Sequence, residues 1–339
     1  MSKLLANSSF AHRFGLTSPI ALAPMAFASG GELAAACAKA GALGLVGGAY
    51  GDLQWTQDQY LRATDLLASD KSARARVGCG VITWKLMEDR SALDWVLDQS
   101  DRPAAIMLSF GDPAPFSRDI IDRNISLICQ IQNMAQVEEA VDAGASVIVA
   151  QGNEAGGHGL NSRDGRSSFT FVPELADWLA RRAPDIDLLA AGGVSDGRGL
   201  AAAMMLGADG LLVGSRLWAT EESLAAPQAI AAAVEASGDG TARSAVFDIL
   251  RQKNWPEAFD FRALRNRIHR QWEDRIPELR ANPGEAIADY SDGVAAGDYE
   301  RAHVTVGEGT GSIHRVETAG QIIEDMNKTA ISLLSDAKS

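Results

Sequence analysis

The sequence predicts an α/β fold, a (β/α)8 TIM barrel with a mainly helical C-terminal appendage, and three observations carry that expectation. Short apolar runs alternate with helical stretches from residue 20 to about residue 218, there are eight such runs, and the last two end in glycine-rich turns. The runs fall at 20–23, 43–46, 77–81, 105–108, 126–129, 146–150, 187–191 and 210–213. Each is short and almost wholly apolar, as strands buried on both faces are. Between them, 31–40, 56–69, 90–99, 135–143, 172–182 and 199–206 carry apolar residues at helical spacing. Ala40-Gly-Ala42, Ala143-Gly-Ala145 and Leu206-Gly-Ala-Asp209 stand just before strands two, six and eight, where glycine suits a helix C-cap leading into a tight turn. An open doubly wound sheet alternates in the same way. Against it, the eight units run on without a rebuilt central crevice, and the first turn, Ala23-Pro-Met-Ala26, lacks the Gly-x-Gly-x-x-Gly fingerprint.

Beyond Trp218 the rhythm stops. Residues 223–236, 242–252, 261–276 and 318–334 read as helices, and 282–311, rich in Gly and Asp, as a long loop or short helices. The expected division is therefore a barrel over 1–220, closed by part of the C-terminal region, and a mainly helical extension over 221–339 that packs on or near the barrel mouth.

Composition narrows the function classes. Of the 339 residues, 46% are hydrophobic and 22% charged, ordinary for a soluble globular protein, and no apolar run approaches the roughly 20 residues of a membrane span. The first residues, Met1-Ser-Lys-Leu-Leu-Ala-Asn7, do not read as a secretory signal, so a cytoplasmic location is expected and no membrane partner. A net charge of −13 argues against nucleic acid, which a basic surface binds by releasing counterions. Cys37, Cys79 and Cys129 read as buried thiols. No His/Cys/Asp/Glu cluster has metal-ligand spacing, and no serine sits in a nucleophile elbow.

The chemistry lies in the turns. Ala190-Ala-Gly-Gly193 and Leu212-Val-Gly-Ser215 place bare backbone amides at the same ends of two neighbouring parallel strands, a cradle suited to a phosphate. Upstream, Gln151-Gly-Asn-Glu-Ala-Gly-Gly-His158-Gly159 sets a lone histidine between glycines in a strand-end loop, with no helical or strand period to explain it. An imidazole there can carry a proton near working pH, so His158 is the candidate catalytic residue. His12, His269, His303 and His314 read as structural. Glu154 reads as support for its own loop, Asp196 as the N-cap of the next helix, Arg198 as a surface or rim contact, and 307–312 as a surface or lid turn. Ser109 either donates to a substrate or shapes its turn, and Trp84 and Phe110 either wall a pocket or pack the barrel.

Taken in chain order, Ala23-Pro-Met25, Leu108-Ser-Phe-Gly-Asp-Pro113, Gln151 through Gly159, and Ala191-Gly-Gly193 with Val213-Gly-Ser215 give the chain its resemblance to the nitronate monooxygenase family, formerly called 2-nitropropane dioxygenases. The resemblance covers nearly the whole chain and implies an FMN-dependent barrel enzyme that oxidises alkyl nitronates with dioxygen to carbonyl compounds and nitrite. It implies that Ala23, Pro24 and Met25 lie against the flavin ring, with Gln130 and Gln151 as further ring contacts. It implies too that Gly156 and Gly157 let their loop pass close by, and that Gly192, Gly193, Val213, Gly214 and Ser215 form the phosphate end. Many relatives carry an asparagine after strand three; Val77-Gly-Cys-Gly-Val-Ile-Thr-Trp84 has none, so no amide contact is carried over there. Related families of NAD(P)H-dependent flavin reductases, acting on quinones or enoyl thioesters, share the Gly-Gly-His and phosphate loops. The sequence leaves that reaction open as the alternative.

Overall fold

The computed structural model describes residues 8–336. Eight parallel strands, β1 (Ile20–Leu22), β2 (Gly44–Gly47), β3 (Val77–Ile82), β4 (Ala105–Ser109), β5 (Ser126–Ile131), β6 (Val147–Gln151), β8 (Asp187–Ala191) and β9 (Gly210–Val213), form one sheet. Their order is β1-β9-β8-β6-β5-β4-β3-β2, and β7 (Gly157–Leu160) lies outside it. The two ends meet: Ala21 bridges Leu43 in parallel, and Leu22 N donates to the Leu43 carbonyl at 2.8 Å, so the sheet closes as a barrel.

Two apolar layers follow from strands buried on both faces. Inside the barrel, Ala21, Leu45, Met107, Ile128, Val149 and Leu212 pack together. The helix Ser9–Arg13 plugs the strand starts with the fully buried Phe10, while the Arg13 guanidinium pairs with Asp187. Outside, Leu22, Val46, Cys79, Ile106, Ile148 and Leu211 pack against the surrounding helices. All three cysteines are buried and free. Asp196 caps the helix Gly197–Met205, accepting from the amides of Arg198 and Gly199.

The last helix, Ala319–Asp336, fills the gap between Gly197–Met205 and Gly31–Lys39, contributing Ile322, Ile323 and Met326 to the outer layer. A Cβ at Gly197 would stand 2.4 Å from the Met326 carbonyl oxygen, which is how closely these helices pack. The chain therefore inserts a long segment between its eighth barrel strand and the helix that completes the ring.

That segment departs from the expected run of helices. The helices expected over 242–252 and 261–276 begin instead as the strands β10 (Thr241–Ser244) and β11 (Phe259–Leu264), with the helix Val246–Leu250 between them. They join β7 in a three-stranded antiparallel sheet of order β10-β11-β7, in which His158 sits directly across from Phe261. His158 thus lies in a strand rather than a bare loop; its pairing partner comes a hundred residues later, beyond the reach of any local pattern. Within 282–311 there is a full helix, Gly284–Ala296, closed by Gly297 in the left-handed conformation at φ 63°. The aromatic core of this segment gathers Phe247, Phe261, Ile268, Leu279 and Tyr290.

Candidate active site

At the C-terminal ends of the barrel strands a cavity of about 700 Å3 opens between the barrel turns and the inserted segment, a size ordinary for a ligand pocket. Ala23, Pro24, Met25, Gln130, Gln151, Gly156, Gly157, His158, Gly192, Gly193, Gly214 and Ser215 all line it. Val213 does not: it is 1% exposed, packs in the outer apolar layer, and takes part through its carbonyl, which accepts from Ala23 N at 3.0 Å. The first turn lies tight on strand three, where a Cβ at Gly80 would come 2.2 Å from Pro24 Cγ. Glycine at the position after Cys79 is what lets Pro24 reach its place.

One end of the cavity is a backbone cradle. Gly192 and Gly193 have φ of 100° and 75°, where side chains are strained, and a Cβ on Gly192 would meet the Gly152 carbonyl oxygen at 3.0 Å. Among the described residues, the amides of Gly193, Val194 and Gly214 donate to no backbone carbonyl. Ser215 Oγ accepts from Gly307 N at 2.9 Å, leaving its own proton free. The predicted lid turn, now the short helix Glu308–Ser312 and its flanks, closes over this end: the Ser195 hydroxyl donates to the Gly309 carbonyl, and both Gly307 and Gly309 line the cavity.

His158 is held from several sides. Its Nε2 lies 2.9 Å from Asp248 Oδ1, each side chain 7% exposed. Its ring stacks on Trp255 at 3.4 Å between centroids and 12° between planes. Its carbonyl accepts from Gln151 Nε2, whose Oε1 in turn accepts from Gln130 and Gln132. Gln151 therefore spends its amide partly on fixing the histidine strand. Burial pulls the imidazole down to about 4, against the upward effect of Asp248, so it is neutral at ordinary pH.

Two arginines from the insertion, Arg243 half-buried and Arg262 buried, hold the glycine loop by its carbonyls. Arg243 donates to the carbonyls of Ala155 at 2.7 Å, Gly157 at 3.1 Å and Asp260 at 2.7 Å. Arg262 donates to Asn153 O and pairs with Glu308. Burial, then the Arg262 charge, pulls Arg243 down to about 9, which still leaves it protonated at neutral pH. Glu154 accepts from Ser167 Oγ and from the amide and hydroxyl of Ser168, anchoring its loop to the helix Ser168–Arg182.

The rim is aromatic and cationic. Phe27, Ala49 and Phe110 adopt left-handed φ of 59°, 47° and 65° in the turns after strands one, two and four, and all three line the cavity. Such strain collects where a turn is shaped for a ligand. Phe110 packs on Trp255 and Phe259, whereas Trp84 packs on Trp255 from behind and does not line the cavity. Arg251 donates to Tyr50 Oη at 3.0 Å and lies over Phe261, and Lys253 Nζ sits 4.5 Å from the Tyr50 ring centre. His303, read from the sequence as structural, lines the cavity, with Nδ1 2.7 Å from Tyr290 Oη. Burial holds it down to about 3. Asp248, Arg243, Arg251, Trp255, Phe261 and His303 are the site residues that sequence reasoning missed. Among the described residues no group of three or more His, Cys, Asp or Glu could hold a metal, and no helix is long and apolar enough to cross a membrane.

Backbone amides without a carbonyl partner at the last two barrel turns and a neutral imidazole thus line one cavity at the C-terminal face of a (β/α)8 barrel, where barrel enzymes carry their sites. A family model described as nitronate monooxygenase matches residues 69–329. The nitronate monooxygenase npaC of Metarhizium robertsii is 32% identical, over 94% of this chain and 92% of that protein. The nitronate monooxygenase of Neurospora crassa is 28% identical, over 91% and 88%. The chain belongs to the nitronate monooxygenase family, a family of oxidoreductases that act on small molecules. Among solved structures, FabK of Thermotoga maritima superposes with a TM-score of 0.79 at 24% identity, covering 98% of each chain. Nitroalkane oxidase of Streptomyces ansochromogenes superposes with a TM-score of 0.77 at 22% identity, covering 97% of this chain and 100% of that one. These two share the barrel fold.

Proposed function

We propose that this protein is an FMN-dependent nitronate monooxygenase, oxidising alkyl nitronates with dioxygen to a carbonyl compound and nitrite. The observation that carries this reading is the neutral, buried His158 opening into the same cavity as the phosphate-type cradle. The residues present fit FMN. Its phosphate would take the amides of Gly193, Val194 and Gly214 and the Ser215 hydroxyl, and its ring would lie against Ala23, Pro24 and Met25 with Gln130 and Gln151 at its edge. Bound there, FMN would supply electron acceptance and the reaction with dioxygen.

The chain's own residues do the rest. His158 takes the α-proton of a neutral nitroalkane or hydrogen-bonds the nitronate. Arg251 and Lys253 give the cavity wall a positive sign that suits an anionic substrate on a chain whose net charge is −13. Phe110, Trp255 and Phe261 exclude water around the imidazole.

Anaerobic mixing tests the reaction. Bleaching of the bound flavin by a nitronate alone is the expected result. Bleaching by NADH or NADPH at a turnover-competent rate, with none by nitronate, would replace this reading with the reductase alternative.

The cradle is tested separately by Gly192→Ala. At φ 100° the new side chain strains the backbone and crowds the Gly152 carbonyl. A penalty of about 1–3 kcal/mol corresponds to a roughly fivefold to 150-fold loss of FMN affinity, read by fluorescence titration of the stripped protein. Unchanged affinity would remove the phosphate from this turn.

A further inference from the structure

We propose that Asp248 holds His158 with Nε2 protonated, so that Nδ1 is the atom that takes up and returns the proton. The proposal rests on the reading of His158 as proton carrier and names the atom that carries it.

The geometry is specific. Asp248 Oδ1 lies 2.9 Å from Nε2, and both side chains are more than nine-tenths buried. A carboxylate can only accept, so the nitrogen facing it bears the hydrogen. Arg251 Nη1 lies 3.9 Å from the same oxygen. Among the described residues Nδ1 has no hydrogen-bond partner, and it is absent from the buried side-chain atoms left without one, so it is open to the cavity that His158 lines.

The ring has little freedom to turn over. Trp255 covers one face in parallel contact, Phe261 approaches at 4.7 Å between centroids, and Gln151 pins the backbone carbonyl. Asp248 sits in the helix Val246–Leu250, supplied by the insertion, while His158 belongs to β7, which follows the sixth barrel strand. The insertion thus sets which face of the imidazole is basic.

The proton step balances without another reactant. The substrate's Cα–H bond breaks and an Nδ1–H bond forms. The electron pair delocalises into the nitronate, and the imidazolium is compensated by the Asp248 carboxylate. The charged or titratable groups around the ring are Asp248, Arg251, Arg243 and His303. Of these only Asp248 pulls the imidazole towards its charged form.

Nitrogen-15 NMR of histidine-labelled protein tests this on the resting chain, with no turnover required. The expected spectrum gives His158 a protonated Nε2 and a bare, pyridine-type Nδ1. In Asp248→Asn the charge is lost at constant size. The His158 titration then moves to lower pH, and kcat/KM for a neutral nitroalkane falls about tenfold to a hundredfold, its acid limb moving with the titration. A wild-type spectrum with Nδ1 protonated and Nε2 bare overturns the proposal, whether or not the variant folds. So does an acid limb that stays in place in Asp248→Asn. Failure of the underlying reading looks different: full turnover in His158→Gln.

Discussion

Replacing His158 by glutamine is expected to lower kcat/KM for a neutral nitroalkane by roughly a hundred- to ten-thousandfold, the ordinary worth of a general base. Glutamine is chosen because its amide can still donate to Asp248, so no buried carboxylate is left without a partner. The variant should therefore fold and retain flavin, which circular dichroism and the absorption spectrum check. A preformed nitronate has already lost its proton, so its turnover should fall less. Equal turnover of the nitroalkane by wild type and variant would remove His158 from the chemistry.

The pH dependence of the same step has a definite sign. His158 is basic only when neutral, and burial holds its titration at about 4, so the rate should be flat near neutrality and fall as pH drops towards 4. Stability shifts in the same direction. An unfolded histidine titrates near 6.5, whereas His158 and His303 do so at about 4 and about 3 in the folded chain. Below about 6.5 the unfolded state binds more protons, and stability is progressively lost. Thermal melts between neutral pH and pH 4 check this, with His303→Asn lessening the loss.

The barrel was legible because each of its strands is a local apolar run, and residues 187–191 and 210–213 coincide with the observed strands. So were the glycine turns and the lone histidine, since a turn that must approach a ligand declares itself in a few neighbouring residues. The other half of the site is built by pairing over long sequence separations. Phe259–Leu264 does alternate, with Phe259, Phe261 and Ala263 on one face and Asp260 and Arg262 on the other. That period-two signal was available, but the apolar residues from Phe261 to Ile276 also fit a helical spacing. With no partner strand nearby in the sequence, local pattern does not separate the two. Asp248 carried no signal, being one carboxylate in a short helix ninety residues from the imidazole it meets. His303 was hidden in the same way, because only tertiary folding brings 299–305 over the cavity.

Arg243 is where the second large effect is expected, although it touches no reacting atom. Its guanidinium donates to four carbonyls, of Asn153, Ala155, Gly157 and Asp260, and so ties the glycine loop to the β10–β11 hairpin. Gly159 makes room for it: a Cβ there would stand 2.9 Å from Arg243 Nη1. Arg243→Met keeps the apolar stem but removes every donor. Buried carbonyls left unmade cost about 1–3 kcal/mol each, so local opening should become easier by about 3 kcal/mol or more. Hydrogen exchange at 153–160 and 259–264 should then quicken by roughly a hundredfold, with exchange in the barrel strands little changed and nitronate turnover largely lost. Arg243→Lys should rescue poorly, because one ammonium cannot reproduce a planar fork aimed at four carbonyls. If exchange in 153–160 stays at the wild-type rate in Arg243→Met, the loop is held by its barrel contacts alone, and the insertion does not shape the histidine strand.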